Sequence, residues 1–228
     1  MSKPLCLTLL TAALMTGCAG NPVETAQQAV AEQIPFSEEL QYREVQRYPD
    51  RVVCGQYRVV QRWGDYSPYR HFVYRDGVVD EKPSGRDVAI YCSENRLDSL
   101  YRETGIRIDD ESRAHLVKVA RDLRALHDAL EAFYVDTGMY PDAGHGLAIL
   151  VSNPHDDLRL RNYREGGYLA TLPRDPWGQD YYYAPPEFAG SRQPPTLLSL
   201  GADGRQGGLD ANTDIGLEHL HYLEYLLD

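Results

Sequence analysis

The sequence predicts an α+β protein in which a long helix packs on a small antiparallel sheet, preceded by a small disulfide-linked β domain. Residues 113–137 place apolar side chains at spacings of three and four, as a helix that buries one face requires. Residues 181–183 and 196–200 have the alternation and composition of antiparallel strands. Residues 51–92 are rich in β-branched and aromatic side chains, are broken by turn residues, and contain two cysteines.

The amino terminus has the order of a secretory leader. Lys3 is followed by an apolar run, Leu5–Met15, and then by small residues that end at Cys18. The run is too short to span a bilayer. Met15–Cys18 resembles the lipobox of bacterial lipoproteins, in which the cysteine is acylated and becomes the first residue of the mature chain. We therefore expect a signal peptide at 1–17 and lipidation at Cys18, with an ordinary cleaved leader as the alternative; both interpretations predict export.

The use of cysteine predicts one disulfide. An exported chain meets an oxidising compartment, where neighbouring thiols are converted to disulfides. Cys6 leaves with the leader and Cys18 is taken by the lipid, so Cys54 and Cys92 remain. Both lie in segments that read as strands, and we expect a bridge between them, with two buried free thiols as the alternative.

The charge of the chain excludes two classes of partner. Asp and Glu number 34 against 23 Lys and Arg, which gives a formal net charge of −11. Because nucleic acid and anionic lipid surfaces attract basic proteins, neither is an expected partner.

Composition divides the exported chain into four segments. Residues 18–43 have few large apolar side chains and are expected to form a tether, with a short helix possible at 25–33. Residues 44–95 form the expected β domain, in which Asp76-Gly77 is the strongest hairpin signal. Its strands are predicted at 51–63, 69–74, 78–79 and 87–92. Residues 96–112 are expected to be a linker, and residues 113–228 a second domain.

The second domain has clear helix signals. Ser112 or Asp110 can cap the long helix, and Gly138 can end it. Near the carboxyl terminus, Leu220, Leu223 and Leu227 recur at helical spacing, which predicts a short helix docked on the domain, with docking on a partner as the alternative.

An ordered set of motifs follows the long helix and carries a resemblance. Each motif alone is a common turn or strand, but the order and spacing of the set are specific. The motifs are Thr137–Pro141, Gly144–Leu150, Asn153-Pro154, Gly167–Leu169, Leu172–Tyr183, Leu198–Gly204, Gly207-Gly208 and Asp214–Gly216. Together they resemble the major pseudopilin family of bacterial type II secretion systems over residues 116–216. The resemblance implies a pilin-like helix on a sheet and a role in protein secretion.

The same resemblance implies a calcium ion in the loop from Leu200 to Ile215. Calcium takes six to eight oxygen ligands from carboxylates and carbonyls on flexible loops. The matching ligands are the Leu200 carbonyl and the side chains of Asp203, Asp210 and Asp214, with Asn212 as a further candidate. A polar turn exposed to solvent is the alternative, because Asp, Asn and Gly are common in all loops.

The chain departs from this family before Leu116. Pseudopilins begin with a prepilin leader and a long apolar helix, whereas here a lipobox and a β domain precede a charged segment. No nucleophile elbow, metalloprotease helix or phosphate loop occurs, so we expect no enzymatic activity and no catalytic residue.

Two functions remain after these exclusions. The first is a periplasmic lipoprotein that acts in protein secretion or envelope assembly through contacts with secretion-system or envelope proteins. The second is a stand-alone binding lipoprotein unrelated to secretion. Ala19 after the cysteine resembles the signal for the outer membrane rather than the inner one.

Overall fold

The chain consists of two compact units, and the boundary between them lies between Cys92 and Ser93. The structure, a computed structural model, describes residues 21–34, 39–60, 64–153, 160, 162–188 and 191–227. The expected signal peptide at 1–17 and the expected lipidation site, Cys18, lie outside the described residues. Within those ranges, no helix has both the length and the apolar character needed to cross a membrane.

The amino-terminal unit is a four-stranded antiparallel sheet flanked by two helices. The strands are β1 (Glu39–Arg47), β2 (Val53–Val60), β3 (Arg70–Arg75) and β4 (Val78–Asp80), and they lie in the order β1-β2-β3-β4. Helix α1 (Pro22–Gln33) precedes the sheet, and helix α2 (Gly85–Tyr91) follows it.

The β3–β4 hairpin confirms the strongest local prediction in this unit. Asp76 and Gly77 both have positive φ, 51° and 81°. Two successive residues of positive φ form the tight turn that suits the twist of an antiparallel pair.

Helix α1 closes one face of this sheet. Ala26 and Val30 on the helix are fully buried among Val53, Tyr57 and Phe72. The segment expected to be a tether, 18–43, therefore contains both a packed helix and most of the first strand. Its apolar side chains are small, but together with the sheet they form one core.

The prediction of a strand at 87–92 is wrong, because this segment is helix α2 and its carboxyl-terminal cap, Cys92. Ser84 caps the helix through its hydroxyl, which accepts a hydrogen bond from the Asp87 amide, while the Asp87 carboxylate accepts one from the Ser84 amide. This reciprocal capping box outweighs the β preference of the residues that follow.

The predicted disulfide is present. Cys54 lies in β2, Cys92 directly follows α2, and their Cα atoms are 5.9 Å apart. The bridge attaches α2 to the middle of the sheet, and the alternative of two free thiols does not hold.

The carboxyl-terminal unit has the predicted α+β arrangement. Its helices are α3 (Arg96–Thr104), α4 (Arg113–Thr137) and α5 (Leu217–Leu227). Its antiparallel sheet has the order β5-β6-β7, formed by β5 (Tyr182–Ala184), β6 (Thr196–Ser199) and β7 (Ile215–Gly216). Helix α3 lies in the segment expected to be a linker, 96–112, where Asn95 caps its start and Gly105 ends it.

The apolar face of α4 forms the centre of this unit, as its spacing predicts. Its buried apolar side chains are Leu116, Val119, Ala120, Leu123, Leu126, Ala129, Leu130 and Phe133. Leu220 and Leu223 of α5 are also buried, and α5 packs on α4. The predicted docking of the carboxyl-terminal helix is therefore confirmed.

The two ends of α4 differ in how they are capped. Gly138 ends the helix with a φ of 78°, as predicted. Ser112 stands at the amino-terminal cap, but its side chain does not bond to the first turn. Its hydroxyl donates instead to the Arg107 carbonyl at 2.7 Å, so Ser112 fixes the preceding turn.

The tyrosines at 181–183 alternate as predicted. Tyr181 is buried and Tyr182 is exposed. The Tyr181 hydroxyl donates to the Asp122 carboxylate of α4 at 3.1 Å. Burial raises the pKa of Tyr181, and the charge of Asp122 raises it further. The hydroxyl therefore stays neutral and joins the sheet to the helix.

Candidate functional site

The loop between β6 and β7 is held closely against its own backbone. Gly201 has a φ of 67°, and a Cβ atom there would lie 2.7 Å from the Asn212 carbonyl carbon. The Ala202 amide donates to the Ala211 carbonyl at 2.8 Å. Only glycine fits such a left-handed, close-packed position, so this residue fixes how the loop begins.

A turn centred on Asp175 supports the loop from one side. The Asp175 side chain is buried and accepts hydrogen bonds from the amides of Trp177 and Gln179 and from the Ser199 hydroxyl, at 3.0, 2.8 and 2.8 Å. Gln179 in turn donates its side-chain amide to the Gly201 carbonyl at 3.1 Å. The turn, the end of β6 and the loop are thus one hydrogen-bonded unit.

The segment after α3 supports the loop from the other side. The Gly105 carbonyl accepts from the Thr213 hydroxyl at 2.8 Å and from the Asp210 amide at 3.0 Å. Arg107 donates its Nε to the Asp210 carboxylate at 2.5 Å, and both side chains are about half exposed. Residues 105 and 107, within the segment expected to be a linker, are therefore part of the site.

The three predicted acidic ligands have different surroundings. Asp214 accepts from the Gly207 amide through Oδ2 at 2.9 Å, while its Oδ1 is buried and has no hydrogen-bond partner. Asp203 accepts from the Arg205 amide at 3.0 Å. Asp210, with a φ of 58°, gives its carboxylate to Arg107.

The side chains of these three residues do not converge in the structure. In the described part of the chain, no three His, Cys, Asp or Glu side chains come together in a way that could hold a metal ion. Leu200 lies directly before Gly201, at the start of the loop.

The donor chemistry nevertheless fits a hard cation. A buried carboxylate oxygen without a partner is costly, and a cation is one of the few groups that satisfies it. Asp214 Oδ1 is such an atom, and carboxylates and backbone carbonyls are the oxygens that calcium prefers. Arg107, paired with Asp210, places a positive charge beside one of these acids.

A cleft of about 350 Å³ lies beside the loop. Trp177 lines this cleft and contacts the His115 ring, with ring centroids 5.4 Å apart. The walls also include Arg107, Asp109 and Glu111. An aromatic floor with a charged rim suits contact with another protein.

Two histidines make local hydrogen bonds in this unit. His219 is buried and its Nδ1 accepts from the Gly216 amide at 3.2 Å. His145 bonds the Asp142 carboxylate, and hydrogen bonds from the backbone and ring of His145 lower the pKa of Asp142. These histidines fix turns and helix ends.

Comparison with known proteins gives a consistent match to the carboxyl-terminal unit. The model of the family "Type II secretion system (T2SS), protein G" matches residues 107–218. The type II secretion system core protein G of Vibrio cholerae is 40% identical over 109 residues, which is 48% of this chain and 72% of that protein. The Pseudomonas aeruginosa protein of the same description is 43% identical over 101 residues, covering 44% of this chain and 69% of that protein.

A solved structure is also similar in sequence. It is the crystal structure of the major pseudopilin from the type 2 secretion system of enterohaemorrhagic Escherichia coli. Identity is 36%, the match covers 47% of this chain and 90% of that chain, and the TM-score is 0.39.

Proposed function

Since the chain belongs to the type II secretion system protein G family, we propose that it is a non-enzymatic envelope protein that acts in protein secretion through contacts with other secretion-system proteins. The observation that carries this proposal is the family match over residues 107–218, which spans the site from Arg107 to the end of β7. The match favours secretion over the alternative of a stand-alone binding lipoprotein.

The cleft beside the loop is the proposed point of contact. A photo-crosslinking amino acid at Glu111, an exposed residue on its rim, should capture a secretion-system component in intact cells. The control position is Asp128, which is exposed on α4 about four turns after the helix begins. Equal capture from both positions, or capture only of proteins outside secretion, would contradict the proposal.

We further propose that the protein is lipid-anchored at Cys18 and faces the periplasm from the outer membrane. The support is the lipobox at Met15–Cys18 followed by Ala19. Replacing Cys18 with serine should block processing or move the protein from the membrane fraction to the soluble fraction. The check is fractionation and electrophoretic mobility beside wild type and a Cys6→Ser control. A Cys18→Ser protein that behaves as wild type in both assays would show that the cysteine is not acylated.

Calcium is the proposed cofactor, with a structural role. The Leu200 carbonyl and the carboxylates of Asp203, Asp210 and Asp214 would hold the ion, and the support is the unpartnered Oδ1 of Asp214. When bound, the ion supplies positive charge that offsets repulsion among the acids and ties the loop to the sheet.

Calcium should therefore raise the melting temperature of the carboxyl-terminal unit relative to chelator. A cation that binds only the folded form adds roughly 2.7 kcal/mol at a hundredfold excess over its Kd. Asp214→Ala and Asp203→Ala should remove most of this difference. Asp142→Ala removes a carboxylate outside the loop that accepts hydrogen bonds from Gly144 and His145, and it should leave the calcium-dependent difference intact. An identical melting temperature with calcium and with chelator for the wild-type chain would instead make the loop a polar turn.

A further inference from the structure

The outer face of the amino-terminal sheet carries an ordered set of polar side chains. Helix α1 covers the opposite face, where Tyr57 and Phe72 are buried. On the outer face, Gln41 of β1 stands opposite Arg58 of β2, and Arg43 stands opposite Gln56. Directly opposed residues of an antiparallel pair point to the same side, so two arginines and two glutamines form one block with the arginines at opposite corners.

Both guanidinium groups are held in place by neutral partners. Arg58 donates its Nε and Nη2 to the Gln41 side-chain oxygen at 3.0 and 2.7 Å. Arg43 donates the same two groups to Gln56 at 2.8 and 2.6 Å. Each arginine therefore uses one edge of its fork within the sheet and keeps Nη1 and the second N–H of Nη2 for another partner.

Tyrosine rings add a second constraint. The Arg58 guanidinium lies 3.9 Å from the centroid of the Tyr66 ring and 4.7 Å from that of Tyr69, and Arg43 lies 4.0 Å from the Tyr69 centroid. A guanidinium held over aromatic rings loses less freedom when it binds a ligand. The two cations are thus positioned before any partner arrives.

Neither arginine has a counterion among the residues that the structure describes. The Glu44 carboxylate, next to Arg43 in β1, accepts from the Gln56 amide at 3.2 Å rather than from an arginine. Elsewhere on the same face, Arg75 does pair with Asp76, at 3.8 Å. Fork-shaped guanidinium groups bind carboxylates through two parallel hydrogen bonds, and these two are available for such bonds.

The two units differ in charge. Residues 18–92 carry 9 Lys and Arg against 11 Asp and Glu, whereas residues 93–228 carry 13 against 23. An acidic partner is therefore repelled by the carboxyl-terminal unit and is best accepted by the amino-terminal one. The net charge of the whole chain also opposes adsorption to an anionic lipid surface.

The spacing of the arginines indicates the form of the partner. Diagonal neighbours on one face of an antiparallel pair are about 7–8 Å apart. Side chains two residues apart on an extended chain are separated by about 6.5–7 Å. We propose that this face binds an extended acidic segment of a protein partner, with Arg43 and Arg58 each pairing with one carboxylate of two Asp or Glu residues at positions i and i+2.

The proposal is tested on the full chain by fluorescence anisotropy with a labelled Thr-Glu-Thr-Glu-Thr peptide and its Thr-Gln-Thr-Gln-Thr counterpart. The glutamate peptide should bind at least about tenfold more tightly, because only carboxylates form charge-assisted bonds with the arginines. Arg43→Gln with Arg58→Gln should weaken binding of the glutamate peptide by a similar factor. Arg75→Gln, which removes the same charge from an arginine with its own partner, should change it less than twofold.

A lysine pair distinguishes geometry from charge. Arg43→Lys with Arg58→Lys keeps both charges but lacks the fork, and its affinity should fall between those of wild type and the glutamine pair. Circular dichroism and the intact Cys54–Cys92 bridge check that each variant is folded.

Three results would overturn the proposal. One is equal affinity for the two peptides, and another is unchanged affinity in the glutamine pair. The third is evidence that the face has a different binding partner. That evidence would be binding to phosphatidylglycerol vesicles without binding to the peptide, or self-association in sedimentation that the Arg43→Gln and Arg58→Gln pair abolishes. None of these results bears on the secretion role, since that role rests on the carboxyl-terminal unit.

Discussion

Replacing Cys54 and Cys92 with serine is expected to lower the free energy of unfolding of the amino-terminal unit by about 3–4 kcal/mol, because the bridge closes a long loop in the unfolded chain. The cysteines are 38 residues apart in sequence, and the loop between them contains β3, β4 and α2. The loss falls on a small unit whose core is a thin layer between α1 and one face of the sheet. We therefore expect this change to have one of the largest effects in the protein.

Hydrogen exchange gives the measurement and an internal control. The free energy of exchange of the β2 and β3 amides should fall by about 3–4 kcal/mol, while the protection of the α4 amides in the other unit should be unchanged. Reducing agent should bring the wild type to the exchange rates of the double variant and leave the double variant as it was. Unchanged protection of β2 in the double variant would mean that the sheet does not depend on the bridge.

Replacing Asp175 with alanine is expected to destabilise the carboxyl-terminal unit by about 3–4 kcal/mol, because donors buried around a charged acceptor would lose their partner. The three donors are the amides of Trp177 and Gln179 and the hydroxyl of Ser199. Since Gln179 also holds Gly201, the change should loosen the candidate calcium loop as well.

Two variants bracket the effect of this substitution in calorimetry. Asp175→Asn keeps a side-chain oxygen that can accept from the turn, so it should retain part of the stability. Asp180→Ala removes a carboxylate that is 83% exposed, five residues along the same turn, and should change the melting temperature little. A melting temperature for Asp175→Ala as high as that for Asp180→Ala would disprove the structural role of Asp175.

The carboxyl-terminal unit was predictable because its signals are local and agree with one another. Helix α4 has a long apolar repeat, and Gly138 ends it. The repeat and the glycine cap both favour the observed helix. The alternation of the tyrosines at 181–183 and the spacing of the leucines in α5 likewise match which of these side chains are buried. In each case the periodicity, the cap and the packing favour the same structure.

The amino-terminal unit was harder to predict because its signals compete. Residues 87–92 have the composition of a strand, yet the capping box formed by Ser84 and Asp87 starts a helix. Helix α1 has only small apolar residues on its inner face. Its burial therefore depends on a sheet whose strands come after it in the sequence. Composition alone therefore suggests a tether there.

The candidate site was only partly predictable for a related reason. The resemblance located the loop, but Arg107 is 103 residues from Asp210, and no local pattern joins them. The contacts of Gly105 with Thr213 and Asp210 are equally distant in sequence. Pairings of this kind depend on tertiary packing, which a single sequence does not reveal.

The position of the disulfide determines how the amino-terminal unit responds to mechanical load. Cys92 is the last residue of that unit, and the second unit begins at Ser93. Tension transmitted along the chain from Ser93 passes through the sulfur atoms directly into β2. The segment between the two cysteines is outside this path, so pulling on the second unit cannot peel α2, β4 and β3 from the sheet one after another. A reduced chain has no such protection, and its unit would unravel from Cys92 inward at lower force.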